Sequence, residues 1–215
     1  ASAVVAPTGS YRCALARAWG TALPVRVVRN GLDLAAPPIP ARRRPIVLAA
    51  GRLWDDAKNV AALAGSAPEL PWPVLLAGDP PATGLAGVRH LGRLSRAELR
   101  RLMDEAAIFV APARYEPFGL AILEAAAAGC ALVLGRVPSL VELWGDAARL
   151  VPPDDPSALR DTLLDLIGDE NALLRLQRAA STRAAALGRA PMMEGYRGVY
   201  ASVLAEQPRT KVQAA

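Results

Sequence analysis

Short apolar runs, rich in β-branched residues or leucine and bounded by Gly, Pro or charge, recur along the chain. They cover Val25 to Val28, Ile46 to Ala50, Val74 to Ala77, Val88 to Leu91, Ile108 to Ala111, Ala131 to Leu134 and Arg149 to Val151. Runs this short read as strands. Between most of them apolar residues fall three and four apart, at Ala57 to Ala67, Ser95 to Glu105, Phe118 to Ala128, Ser139 to Trp144 and Pro156 to Ile167. That spacing lines one side of a helix. Strand and helix alternating in this way predict βαβ units, hence an α/β fold: a Rossmann-like parallel sheet with helices on both faces. Ser95 with Glu98 three residues on is a capping box, and Asp155 before Pro156 places a cap ahead of a first-turn proline.

Both ends depart from the pattern. The first 24 residues hold one apolar stretch, Ala3 to Ala6, and a helical pattern from Tyr11 to Trp19, and they read as the last unit of a preceding lobe. Pro37, Pro38 and Pro40, followed by Arg42, Arg43 and Arg44, read as a linker. Beyond Pro156 the chain is helical, through Asn171 to Leu187 and Met192 to Leu204. The expected division is therefore residues 1–35 as the end of one lobe and linker, 36–190 as the Rossmann-like domain, and 191–215 as a terminal helix and tail.

A length of 215 residues leaves room for one full domain and part of another, and 53% hydrophobic with 21% charged residues is an ordinary globular balance. One His and two Cys exclude several chemistries. A zinc or haem site lacks ligands, and a Ser-His-Asp triad would rest on His90 alone. Cys13 and Cys130 stand far apart with no CxxC spacing, which argues against a disulfide framework and for a reducing compartment, the cytoplasm. The longest apolar candidate, Ile122 to Leu134, is interrupted by Glu124 and Gly129, so neither a membrane span nor membrane contact is expected. Net charge +5 invites a nucleic-acid reading, yet the arginines are scattered and only Arg42 to Arg44 form a run, so no nucleic-acid partner is expected.

A parallel sheet binds ligands beyond the carboxyl ends of its strands, which makes three loops informative. After Ile46 to Ala50 come Gly51, Arg52 and Leu53, with Lys58 near the next helix start. Two cations there can converge on an anion such as a phosphate pair; solvated surface charge is the alternative for Arg52. Lys58 weighs against that alternative. Lysine occurs elsewhere only at Lys211, in a chain that otherwise writes its cations as arginine.

The second loop runs Arg114-Tyr115-Glu116-Pro117-Phe118-Gly119-Leu120 and leads to Glu124. Pro117 suits the first position of a helix, and Gly119 leaves the first-turn amides open, which makes a cradle for an anion. Eight residues separate Glu116 from Glu124, about 12 Å along a helix at about 1.5 Å per residue. A nucleoside-diphosphate sugar fits that span, with hydroxyls for each carboxylate and charge between them. Alternatively Glu116 only serves the helix dipole. Glu124 stands among apolar residues and needs a partner if buried. The third loop, Leu91-Gly92-Arg93-Leu94-Ser95, could read a base edge and stack Arg93 on its face, or be a plain turn before a capped helix.

In order, Val27-Val28-Arg29-Asn30-Gly31-Leu32-Asp33, Ala50-Gly51-Arg52-Leu53 with Lys58, Leu76-Ala77-Gly78-Asp79, Leu91-Gly92-Arg93-Leu94, Glu116-Pro117-Phe118-Gly119-Leu120 with Glu124, and Leu150-Val151-Pro152-Pro153-Asp154-Asp155 resemble the motifs of the group 1 (family 4) retaining glycosyltransferases. The resemblance spans about residues 25 to 165. It implies one lobe of the two-lobed GT-B fold, the C-terminal donor-binding lobe, in an enzyme that moves a hexose from a nucleotide sugar to a hydroxyl acceptor with retention. It further implies that Arg52 and Lys58 hold the donor diphosphate without a metal or other cofactor and that Gly119 and Leu120 present backbone amides to it; Gly51 and Phe118 are also expected to bind the donor. Glu116 would contact the transferred sugar and Glu124 the ribose hydroxyls, while Arg93 and Leu94 are donor-binding candidates from the reading of the third loop above. The missing partner would be the N-terminal lobe, without which the lobe is expected to be inactive; the helix Met192 to Leu204 resembles the one that crosses back to it.

Two departures stand out. Arg29-Asn30-Gly31 replaces the family's Pro-Asn-Gly, and Arg136 to Glu142 replaces a Gly-Gly-x-Pro-Glu stretch behind the donor site. Two alternatives remain open from the residues alone: a nucleotide-binding regulatory lobe without transfer activity, and a nucleotide-sugar epimerase or hydrolase of the same architecture. A dehydrogenase and a P-loop enzyme are disfavoured, since neither GxGxxG nor GxxxxGK[ST] occurs.

Overall fold

The computed structural model describes residues 3–20, 24–33, 43–79 and 85–206. Two short strands come first, β1 (Val4–Ala6) and β2 (Val25–Val27), paired in parallel across α1 (Gly9–Trp19). The main sheet then has six strands: β3 (Arg44–Ala50), β4 (Val74–Ala77), β5 (Arg89–Gly92), β6 (Ala106–Ala111), β7 (Ala131–Gly135) and β8 (Arg149–Val151). All pairings are parallel, in the spatial order β5-β4-β3-β6-β7-β8. The order reverses between β3 and β6, which is where doubly wound sheets open a crevice beyond their strand ends.

The connecting helices are α2 (Val60–Ser66), α3 (Arg96–Glu105), α4 (Leu120–Ala128), α5 (Pro138–Trp144), α6 (Pro156–Gly168), α7 (Glu170–Ala185) and α8 (Arg189–Glu206). Helices α3, α4 and α5 cover one sheet face, while α2 and α6 cover the other. Central strands are therefore apolar on both sides, as buried parallel strands must be. Leu48, Phe109 and Leu132 join one core and Val47, Ile108 and Val133 the other. Helix α7 passes between layers, sending Leu173 to one core and Ala180 and Ala184 to the other.

Three elements differ from the sequence expectation. The helix expected over Ala57 to Ala67 is split: a single 3-10 turn, Asp56–Lys58, ends at Asn59 in the left-handed region (φ 56°), and only then does α2 begin. The helix expected from Phe118 begins at Leu120, because Gly119 has φ 85° and interrupts it. Pro117 is thus not a first-turn proline, and the helical 12 Å between Glu116 and Glu124 does not apply. Arg43 and Arg44 do not belong to a linker either. Arg44 opens β3, and Arg43 donates from Nε to Ala106 O at 2.8 Å, from Nη1 to Ala128 O at 2.7 Å, and from Nη2 to Met103 O. Pro37, Pro38, Pro40 and Arg42 lie outside the described residues. The Ser95/Glu98 capping box and the Asp155 cap, accepting from Ala158 N at 2.9 Å, are both present.

The end segments are fastened to the main lobe at its strand-end side. Glu142 of α5 accepts from Gly9 N at 3.0 Å, Ser10 N at 2.9 Å and Arg29 Nη2 at 3.3 Å. Helix α8 returns against the stretch after β2, where Leu32 bridges to Gly188 and Gly195 faces Val28 so closely that a Cβ would stand 2.9 Å from Val28 Cγ1. Desolvation raises the carboxyl pKa of Glu142, but the Gly9 and Ser10 amides and Arg29 outweigh it and hold the group below its usual range. A depressed native pKa contributes stability that is present above the unfolded pKa and is lost as the pH falls through the native one. Glu142→Gln is accordingly expected to lower the unfolding midpoint at neutral pH and to converge with the parent in acid. Thermal melts from pH 7 to pH 3 measure this, and a gap that stays constant with pH would refute it.

Candidate functional site

The loops beyond β3 and β6 enclose a cleft of about 450 Å³, lined by Gly51, Arg52, Lys58, Glu116, Phe118, Gly119 and Leu120 among others. Pro7 and Asn30, from the end segments, also line it. These seven residues from Gly51 to Leu120, singled out in the sequence from two separate loops, therefore line one cleft. Arg93, Leu94 and Glu124 do not line this cleft.

Backbone geometry at the strand ends shapes the floor. Gly51 has φ 145° and Gly78 φ 141°, both open to glycine and strained for other residues. Gly51 N donates to Ala77 O at 3.0 Å and Gly78 N to Gly92 O at 2.8 Å, so the three loops after β3, β4 and β5 step across one another. A Cβ on Gly78 would stand 1.9 Å from Gly51 O, which leaves no room for any other residue there. Across the cleft Gly119 is buried, and a Cβ on it would meet Ile122 Cδ1 at 2.6 Å. As the N-cap of α4 it brings the open first-turn amides, and the positive end of the helix, up to the cavity.

Lys58 reaches its place through Asn59. The buried Asn59 side chain donates to Pro112 O at 2.9 Å and to Pro153 O at 2.7 Å, tying the loops after β6 and β8 to the turn after β3. Ala57 O accepts from Arg114 N at 2.9 Å on the same seam. Lys58 Nζ consequently meets Glu116 Oε2 at 2.6 Å, with both side chains mostly buried. The other carboxylate oxygen, Oε1, accepts from Phe118 N at 3.3 Å, and Ser139 Oγ donates to Glu116 O. Thr8 Oγ1, from the start of α1, donates to Pro117 O at 3.3 Å.

Arg52 is held differently. Its Nη2 donates to Asp55 Oδ2 at 3.0 Å, and its guanidinium carbon lies 5.8 Å from the centre of the Trp54 ring. The second Asp55 oxygen accepts from Ala57 N at 3.0 Å and caps the turn that carries Lys58. That amide, followed by Arg52 and Lys58, holds the Asp55 carboxyl below its usual range.

Outside the cleft lining, Glu124 Oε1 is 3.8 Å from Arg96 Nη2, an ion pair joining α4 to the start of α3. The loop before α3 bears Arg93, whose Nε lies 3.2 Å from Asp79 Oδ1, both exposed. Glu124 and the third loop are thus neighbours. His90 is in β5 as expected, with both ring nitrogens buried and without a partner among the described residues. Among the described residues no group of three or more His, Cys, Asp or Glu side chains converges as a metal site, and no helix is long and apolar enough to cross a membrane.

Sequence reasoning missed Trp54, Asp55, Asn59, Ser139 and Pro7. Asp55 carried a local signal, as a cap residue two positions before Ala57; Trp54 touches Arg52 two positions away, whereas Asn59 and Ser139 act through contacts distant in sequence.

A parallel sheet of this order, with a cation-bearing cleft at its switch point, defines a Rossmann-like lobe of the GT-B class. Residues 44–169 match the family model of the group 1 glycosyl transferases, and the chain belongs to that family. Among curated relatives, the glycogen synthase of Mycobacterium tuberculosis (strain H37Rv) is 33% identical over 181 residues, covering 74% of this chain and 44% of that protein. A solved sucrose-phosphate synthase from Thermosynechococcus elongatus superposes with a TM-score of 0.81 at 24% identity, covering 96% of this chain and 59% of that one. Anabaena HepE, solved in complex with UDP-glucose, superposes with a TM-score of 0.79 at 20% identity, covering 95% and 64%. The chain spans less than half the length of the curated relatives it matches.

Proposed function

We propose that this chain is the donor-binding part of a retaining glycosyltransferase that transfers a hexose from a nucleotide-diphosphate sugar to a hydroxyl acceptor. The observation that carries the reading is the convergence, on one cleft, of Arg52, Lys58 and the open amides after Gly119 with a single carboxylate, Glu116. Three sources of positive potential suit a diphosphate and one carboxylate suits the sugar attached to it. Family membership and the fold shared with HepE, solved with UDP-glucose, support the same ligand class.

In this reading Arg52, Lys58 and the end of α4 stabilise the diphosphate as it leaves, where negative charge develops. Glu116 accepts hydroxyl hydrogen bonds from the hexose, and the departing phosphate takes the acceptor proton on the face from which it leaves. Two protein cations do the neutralising that a divalent ion does elsewhere, so binding is metal-independent. Glu124, beside the third loop, receives the ribose hydroxyls, while Gly92, Arg93 and Leu94 meet the base.

The ribose assignment has a direct test. Glu124→Gln is expected to weaken nucleoside diphosphate and nucleotide sugar by the same factor, about 10-fold or more, since both carry the ribose and a hydrogen bond to a charged acceptor is worth about 1.5 to 3 kcal/mol. Calorimetry in EDTA with uridine, guanosine and adenosine diphosphates and their glucose conjugates measures it. Unchanged affinity for all of them would remove Glu124 from the site and leave it as the partner of Arg96.

A further inference from the structure

Trp54 is 57% exposed, although it directly follows Leu53, which is 3% exposed and anchors the loop in the core. Its exposed ring lies beside a cation of the cleft. The centre of the indole ring lies 5.8 Å from the Arg52 guanidinium carbon, and Asp55 Oδ2 holds the same group by its Nη2 at 3.0 Å. Arg52 itself lines the cleft, yet its side chain is 64% exposed. An arginine so open to water samples many rotamers, and ordering it on ligand binding costs affinity.

We propose that Trp54 is a positioning residue for diphosphate recognition: its ring and the Asp55 carboxylate together hold the Arg52 guanidinium against the cleft wall in the pose that receives the anion. The inference rests on the function proposed above. Asp55 alone fixes one nitrogen and leaves the guanidinium free to pivot about that contact. A flat ring beside it restricts the pivot, because a guanidinium packs over an aromatic face. Asp55 also caps the turn bearing Lys58, so this three-residue corner sets both cations.

The test compares Arg52→Ala, Trp54→Ala, Trp54→Phe and the double variant Arg52→Ala/Trp54→Ala by calorimetry in EDTA, with uridine, guanosine and adenosine diphosphates as probes. A stack at an exposed site corresponds to a factor of about 2 to 5. Trp54→Ala is expected to weaken the tightest probe by that factor with its unfolding midpoint unchanged, and Trp54→Phe to restore most of the loss. In the Arg52→Ala background, Trp54→Ala is expected to change nothing further. Equal losses in both backgrounds would mean that Trp54 touches the ligand itself, and no loss in either would mean that the stack is idle; each overturns the inference while leaving the cleft assignment intact. An Arg52→Ala variant that binds as well as the parent overturns the proposed function and this inference with it.

Discussion

Lys58→Ala is expected to lower the affinity for nucleoside diphosphate by about 100-fold, the largest single effect at this site. Two losses combine. One is a charge-assisted contact to the phosphates, worth about 1.5 to 3 kcal/mol. The other comes from Glu116, whose carboxylate meets Lys58 Nζ at 2.6 Å and is mostly buried. Without Lys58 that carboxylate faces the incoming diphosphate with no counter-charge beside it, and like charges at such range oppose binding.

The pairing also changes what Glu116→Gln should do. A carboxylate that served the sugar alone would be silent toward diphosphate. Because Lys58 here is shared between Glu116 and the proposed phosphate, Glu116→Gln is expected to tighten diphosphate about threefold while removing the extra affinity contributed by the hexose. Glu116→Gln in the Lys58→Ala background should then recover about tenfold of the loss. Calorimetry in EDTA on the four variants closes the cycle. Strictly additive effects would show that the ion pair does not couple the two ends of the ligand.

The second large effect is on stability. Gly78→Ala is expected to destabilise the fold by about 3 kcal/mol or more, since φ 141° is strained for alanine and the new Cβ would stand 1.9 Å from the backbone oxygen of Gly51. Backbone cannot swing aside as a side chain does, so the clash passes into the loop bearing Arg52. The contrast is Gly65 in α2, which is exposed and where an added methyl group would meet nothing within 4 Å. Gly65→Ala should stabilise by about 0.5 to 1 kcal/mol, through helix propensity and a less disordered unfolded chain. Chemical denaturation of both variants decides it; a Gly78→Ala protein as stable as the parent would mean the loop has slack that its geometry does not show.

The local signals in the sequence did determine the layered architecture. Strand-length apolar runs such as Val74 to Ala77 coincide with β4, and the Ser95/Glu98 and Asp155 caps start α3 and α6 where their side chains accept the first-turn amides. These are interactions within a few residues, so the order of amino acids suffices to specify them. The two loops with Arg52, Lys58 and Glu116 were legible for the same reason: the residue types and the strand-then-helix setting stand together in sequence. What the sequence could not supply was the conformation inside those loops. Gly119 moves the start of α4 to Leu120, and Asn59 ends a turn where helical spacing continued, because its side chain finds Pro112 O and Pro153 O far along the chain. The Lys58–Glu116 pair spans 58 positions, and Arg43 leaves the expected linker to bind carbonyls of Met103, Ala106 and Ala128. Contacts of that range form only once the sheet has brought β3 and β6 side by side, and burial then rewards whichever polar partners the packing puts within reach.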